Sequence, residues 1–386
     1  MQIFKQPNFK FMKYKLFAFA LSGILITAGI INMTTGKGLT GGIDFTGGTL
    51  VQIRFKDPYP IDELRQTLRT AELGGPKIQE VGEGEREYLI RTASPEGDIE
   101  QDQEAHEIMG RRIVEVLTTE EDRSGLESGL ADLNNIDTDE LTRILAASLL
   151  ENTQEAASAI IKARESSELK GIIENYEQLL EAGIDQEIVN FLKDKTFIGS
   201  LAVKRRESVG PQVGEELRIR ATQATVWALI GMLTYIGLRF RFSYGVAAIM
   251  TLAHDVLFTM SIFSFTNREV NLPVVAAILT IVGYSLNDTI VIFDRVRDNI
   301  KGMRRHEFGE ILDTSINQTL SRTAITSGTT FLTVFALFVL GGEVINDFAF
   351  TMMIGVIVGT YSSIYQSCPI LYFWNVIFKP KKGMGK

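Results

Sequence analysis

The chain has 386 residues, 45% of them hydrophobic, with a formal net charge of −8 and a mean hydropathy of +0.10. That is too apolar for a charge-rich soluble protein of this length, and the acidic balance argues against nucleic acid as a partner. One cysteine, Cys368, excludes an intrachain disulfide and reads as an apolar packing residue.

The mean conceals two compositions. Long apolar runs occupy residues 16–33 and most of 221–378, whereas residues 34–214 hold 35 acidic and 20 basic side chains. A bilayer core about 30 Å thick requires about 20 helical residues. Runs of that kind lie at 15–33, 221–238, 244–265, 271–293, 323–341 and 347–378, the last long enough to tilt or to continue along the interface. The spacing therefore predicts a polytopic α-helical membrane protein with six transmembrane helices. Its organisation reads as 1–33, N-terminus and first helix; 34–218, an extracytoplasmic α+β domain; 219–378, helices two to six; and 379–386, a tail.

Lys5, Lys10, Lys13 and Lys15 precede the first run, which resembles a signal peptide at first sight. The apolar stretch is too long for one and closes on no clear cleavage site, so an uncleaved anchor is expected. Basic residues then set the topology. Arg239 and Arg241, then Arg295, Arg297, Lys301, Arg304 and Arg305, then Lys379, Lys381 and Lys382 all fall on the side of the N-terminus. Both termini are expected in the cytoplasm.

After the first run, GGIDFTGG groups Gly41, Gly42, Asp44, Gly47 and Gly48 and leads into the alternation Val51, Ile53, Phe55, a turn entering a strand. A helix follows from Ile61 to Leu73, closed by Gly74, Gly75 and Pro76. Strands near 77–81 and 87–92, joined by a turn at Gly82–Gly84, a helix near 103–117 and a strand near 199–209 complete a ferredoxin-like β-α-β-β-α-β unit. Residues from about 120 to 195 read as inserted short acidic helices, with Leu141, Ile144, Leu145 and Leu149 on one face. This insertion is either a surface for clients or a packed decoration.

No Walker loop, dinucleotide fingerprint or metal-ligand cluster is present, so no enzyme chemistry and no cofactor are expected. The informative residues are ionisable groups inside apolar runs, each costing roughly 2.5–3.5 kcal/mol to insert. Asp288, in ILTIVGYSLNDTIVIF beside Asn287, is the clearest. Desolvation disfavours a carboxylate's charge, which makes proton exchange near neutral pH physically accessible. His254 and Asp255 lie together in another apolar run and either relay or tune that proton or make a structural contact. Being about 100° apart on a helix, at most one of them faces Asp288. Arg322 opens the fifth run at its cytoplasmic boundary, followed by hydroxyls at Thr323, Thr326, Ser327, Thr329, Thr330 and Thr333. These either line a wet path or bond back to helix carbonyls. Gly355 and Gly359 form a small-residue packing face, and residues 308–320 have the spacing of an amphipathic helix laid on the membrane.

Four separated segments, GGIDFTGGTLVQIRF, SVGPQVGEEL, GYSLNDTIVIFDRVRDN and LSRTAITSGTT, together resemble the SecF family over nearly the whole chain. GIDFTGG alone would also fit the sister subunit SecD. The insertion at 120–195 departs from the family's usual shorter outer domain. The resemblance implies a fold like half of a resistance-nodulation-division transporter in the cell's inner membrane, with SecD supplying the other half. It also implies association with the SecYEG channel, and proton flow through Asp288 that drives export of unfolded polypeptide. On the same half-transporter plan, a proton-driven exporter of small molecules or lipids would show an apolar substrate pocket. A non-conducting scaffold would tolerate loss of the Asp288 charge.

Overall fold

The computed structural model describes residues 7–35, 38–71, 73, 76–81, 84–92, 102–147, 152–166, 168–266 and 268–378, without the side chains of 102–107, 343 and 344. Lys5, Gly74, Gly75, Gly82, Leu149, Lys379, Lys381 and Lys382 lie outside the described residues. In chain order the elements are α1 (Lys15–Thr34), β1 (Thr40–Gly41), α2 (Ile43–Thr46), β2 (Gly48–Phe55), α3 (Ile61–Thr70), β3 (Lys77–Glu80), β4 (Glu87–Thr92) and α4 (Asp102–Leu117). Then come α5 (Glu120–Glu127), β5 (Ala131–Asp132), α6 (Thr138–Ala146), α7 (Thr153–Arg164), α8 (Glu177–Glu181), α9 (Gln186–Lys195), β6 (Thr196–Phe197) and β7 (Leu201–Val209). The chain closes with α10 (Pro211–Arg239), α11 (Phe242–Phe265), β8 (Glu269–Val270), α12 (Leu272–Gly302), α13 (Phe308–Leu340), α14 (Glu343–Tyr365) and α15 (Ser367–Phe378). Two compact units result: Ile43–Leu217, and Met1–Gly42 with Arg218–Lys386.

The first unit is the expected β-α-β-β-α-β arrangement. Its antiparallel sheet has the order β3-β4-β2-β7, the strand order of a ferredoxin-like fold. Val51, Ile53, Tyr88 and Ile90 point to one face, where they meet Leu64 and Leu68 of α3 and Ile113 and Leu117 of α4. On the other face the buried Glu87 carboxylate is met by Gln52 at 2.7 Å, Arg54 at 2.9 Å and Lys204 at 2.8 Å. A buried charge is tolerated when it is paired and hydrogen-bonded in this way. The sequence IDFT forms a helical turn, α2, where a simple turn was expected. Gly47 follows it at φ +68°, and a Cβ there would lie 2.9 Å from Pro211 Cα. Only glycine suits both conditions.

The insertion has a core of its own, formed by Leu133, Leu141, Leu145, Ala157, Ile160, Leu179, Val189 and Leu192. Polar side chains attach it to the sheet. Asn135 accepts from the backbone N–H of Val203 at 2.8 Å and donates to Leu201 O at 2.9 Å, as a neighbouring strand would. Asn134 bonds the backbones of Ile173 and Gly199. Burial pushes the Asp132 carboxyl above the ordinary range, against donors at Asn134, Asn135 and Gly199.

Among the described residues, six helices are long and apolar enough to cross a membrane, Phe11–Thr34, Pro211–Arg239, Phe242–Phe265, Leu272–Gly302, Phe308–Leu340 and Ile345–Ile377, and all but the start of the second belong to the second unit. The last is interrupted at Gln366. The ring of Pro369 would collide with the carbonyl of Tyr365 in a continuous helix, so the chain restarts at Ser367 with proline in the first turn. The 308–320 segment is not a separate surface helix. It is the first part of α13, and Ile311, Leu312 and Ile316 are buried, Leu312 and Ile316 in the bundle core with Phe11, Phe293, Val296 and Cys368. At this end Asn317 clasps the backbone of Phe9, Asp313 accepts from Met12 N–H at 2.8 Å, and Arg239 pairs with Asp294 at 3.1 Å.

α12 packs closely against α14. A Cβ on Gly355 would lie 2.2 Å from the Ile281 side chain, and one on Gly359 would lie 3.1 Å from Ser285 Cβ. Without water between helices, such close approach is the main source of association. Gly355→Ala is expected to lower the thermal midpoint of the detergent-purified protein by the equivalent of about 1–3 kcal/mol of overpacking. Gly283→Ala, with no atom within 4 Å of its Cβ, is expected to lack this penalty.

Candidate functional site

The two carboxyls expected inside the apolar helices are both buried, Asp255 at 0% and Asp288 at 3% exposure, but their surroundings differ. Asp255 sits on α11 facing α12 and α14. Its Oδ2 accepts from Ser285 Oγ of α12 in a very short hydrogen bond and from Ser362 Oγ of α14 at 2.8 Å. Its Oδ1 lies 2.9 Å from His254 Nδ1. Three polar groups on three helices therefore converge on one side chain. The approach depends on Gly359, which lets α14 come up against Ser285.

Asp288 lies one turn further along α12 and faces α13. Among the described residues a single hydrogen bond, from Ser327 Oγ at 3.3 Å, reaches its Oδ2. Among the described residues, the buried hydroxyls of Tyr284 and Thr289 on α12 and of Thr323 on α13 have no hydrogen-bond partner. Arg322 is exposed on α13. Asn287 is exposed while its neighbour Asp288 is buried. The site is thus a weakly satisfied carboxyl on helices that carry unpaired hydroxyls, one turn from a fully satisfied one.

The structure separates the hydroxyls of α13. Thr326, Thr329, Thr330 and Thr333 bond back to carbonyls three or four residues earlier, so they do not provide donors to the site. Ser327 does, and Thr323 is buried beside it by one turn. His254 Nε2 is buried and has no hydrogen-bond partner among the described residues, while its ring lies near Phe258 and Tyr361. Sequence reasoning did not single out Ser362. Its signal was a cluster of small polar residues, TYSSIYQS, inside an apolar run, but its partner is 107 positions away. The same stretch supplies Tyr361 and Gln366, which hold Ser22 and Ala18 of α1.

The glycine segment is divided between two roles. Gly41 pairs with Val270 in the parallel β1–β8 ladder, and Gly42 donates its N–H to Val270 O at 2.8 Å. Gly47 and Gly48 enter β2, and Asp44 lies in the first turn of α2.

A family model described as protein export membrane protein SecD/SecF, C-terminal, matches residues 190–376, and one for the SecD/SecF GG motif matches 34–58. The protein translocase subunit SecF of Koribacter versatilis is 38% identical over 385 residues, covering 96% of this chain and 93% of that one. The chain belongs to the SecF family. The SecF of Escherichia coli O157:H7 is 31% identical over 357 residues, covering 92% of this chain and 85% of that one. The crystal structure of SecDF, a translocon-associated membrane protein from Thermus thermophilus, superposes with a TM-score of 0.64 at 30% identity. It covers 96% of this chain, which spans 39% of the longer SecDF chain. SecDF in its super-membrane-facing form gives 0.54 at 31% identity, covering 98% of this chain and 40% of that one. Most of the insertion falls outside both matched segments of the SecF-family chain, whereas Asp255, Asp288, Ser327 and Ser362 fall inside the C-terminal one.

The contrast between the carboxyls generates a prediction. Asp255→Leu strands the donors of His254, Ser285 and Ser362, each worth about 1–3 kcal/mol when left unsatisfied, and is expected to reduce folded yield and thermal midpoint sharply. Asp255→Asn keeps an oxygen and is expected to recover most of that stability, while Asp288→Asn changes it little. Fluorescence-detected size exclusion after heating measures all three.

Proposed function

We propose that this chain is a SecF-type subunit of the protein translocase machinery. In this reading it couples the proton motive force to polypeptide export through SecYEG, in partnership with SecD and without covalent chemistry. The observation that carries the reading is the asymmetry of the two buried carboxyls. Asp288, with one long hydrogen bond and unpaired hydroxyls on the same two helices, is suited to take and release a proton. Asp255, saturated by three groups, holds α11, α12 and α14 around it. His254 keeps an unpartnered ring nitrogen beside Asp255 and serves the route as a second acceptor. Arg322 lies exposed at the rim of α13, and Asn287 is turned toward whatever packs on the outer side of α12.

In this reading both termini and the basic loops lie in the cytoplasm of a cell with the chain in its inner membrane, and the α+β domain is extracytoplasmic. One proton crossing about 100 mV releases about 2.3 kcal/mol, which biases a two-state equilibrium roughly fifty-fold. The protonated and charged forms of Asp288 would favour different packing against SecD and thereby different poses of the domain that meets the exported chain.

The test is export into vesicles holding SecYEG, SecD and this chain, with and without a proton gradient. Asp288→Asn is expected to abolish the gradient-dependent part of export while the complex still assembles. Normal gradient-dependent export by that variant would overturn the reading and favour a scaffold.

A further inference from the structure

The end of the bundle opposite the N-terminal clasp carries a charged cluster that the proton route does not use. Arg268, between α11 and α12, donates to Asn346 Oδ1 at 2.8 Å and to Asp347 Oδ1 at 2.5 Å. Asp347 Oδ2 also accepts from Asn271 Nδ2 at 3.2 Å, and the guanidinium lies 4.3 Å from the ring centre of Phe350. Both charged side chains are about three-quarters buried, at 28% and 25% exposure. A bonded, partly desolvated pair of this kind holds two segments together better than an exposed ion pair.

Asn271 joins this cluster to two other features. Its Oδ1 caps α12 by accepting from Val274 N–H at 3.0 Å. The two residues before it form β8, which pairs with β1, and Gly42 is bonded to Val270. A Cβ on Gly42 would lie 3.2 Å from Val270 O and 3.3 Å from Asn271 Cβ, so the strand is seated closely. A two-residue ladder is marginal by itself and needs such support.

The cluster also completes a register. α12 and α14 run parallel and touch at Asn271 with Asp347, at Ile281 with Gly355, at Ser285 with Gly359, and through Asp255 at Ser285 with Ser362. The distance along α14 from Asp347 to Ser362 is about 22 Å at 1.5 Å per residue. The contacts thus fix α14 along its length to the first half of α12, with Asp288 one turn beyond the Asp255 level.

We propose that Arg268 and Asp347 are positioning residues that lock α12, α14 and the β1–β8 ladder into one body. A helix movement arising at Asp288 is then delivered to Gly41 and Gly42, the residues that precede the α+β domain in the chain. The source of the movement rests on the proton reading above; the lock itself rests only on these contacts.

The experiment uses the assembled complex in vesicles and compares the parent with Arg268→Ala, Asp347→Asn and the exchanged pair Arg268→Asp with Asp347→Arg. Hydrogen exchange at the Gly42 and β8 amides, gradient-dependent export, and proton movement reported by a lumenal dye are read together. Each single variant is expected to speed exchange at β1–β8 and to lower gradient-dependent export about tenfold, a size typical of coupling between sites. Proton movement stays near the parent's, and the exchanged pair restores both losses in part. Unchanged exchange, or unchanged export, overturns the proposal. So does parallel loss of proton movement and export, which marks general disruption. If the parent itself shows no gradient-dependent export, the proton reading fails, and the exchange measurement alone decides whether the lock exists.

Discussion

A carboxyl placed among apolar helices has no water to bond, so its lone pairs must be met by donors from neighbouring helices. Asp255 imposes that condition on the bundle. Its acceptors are reached only if α12 brings Ser285 and α14 brings Ser362 to one level, and α14 can do so because Gly355 and Gly359 carry no side chain. Once that level is set, Asp288 falls one turn along α12 opposite Ser327 of α13. The weakly held carboxyl is positioned by the strongly held one.

The same rule works at the rest of the bundle. α1 is held by Ser22, Tyr361 and Gln366 at the break that Pro369 enforces, a place where freed backbone and polar side chains are both at hand. One end is closed by the clasp of Asn317 and Asp313 on the N-terminal segment, and the other by Arg268 with Asp347. Apolar contact fills the space between these points. Directional bonds choose the register, since lipid-like side chains have little preference among registers.

In the α+β unit water is available, and the division of labour changes. The sheet is driven together by apolar burial on the helix side, while Glu87 on the other side is surrounded by Gln52, Arg54 and Lys204. The insertion has its own core and is fastened by Asn134 and Asn135, and the Asn135 amide satisfies β7 backbone groups that a free sheet edge would leave exposed. A domain can accept such an addition because the two cores are separate.

Local pattern was enough for much of this. Apolar runs of the required length identify the spans, alternation at Val51, Ile53 and Phe55 identifies β2, and the β-α-β-β-α-β succession implies the strand order. The cost of burying Asp255 and Asp288 marked them as residues that need a reason. Pattern misread residues 308–320, because an amphipathic segment beside a membrane and the buried start of a long helix have the same period. It also left the α13 hydroxyls unresolved, because back-bonding and cross-bonding use the same residue type. Above all, it did not reveal that Ser362 serves Asp255, that Ser327 serves Asp288, or that Arg268 meets Asp347. The sequence by itself determined where helices and strands form and which groups are costly to bury, since both follow from neighbours in the chain and from the solvent. Only the tertiary structure decided which donors meet those groups, because partners 39, 79 and 107 positions apart are chosen by helix packing and not by local spacing.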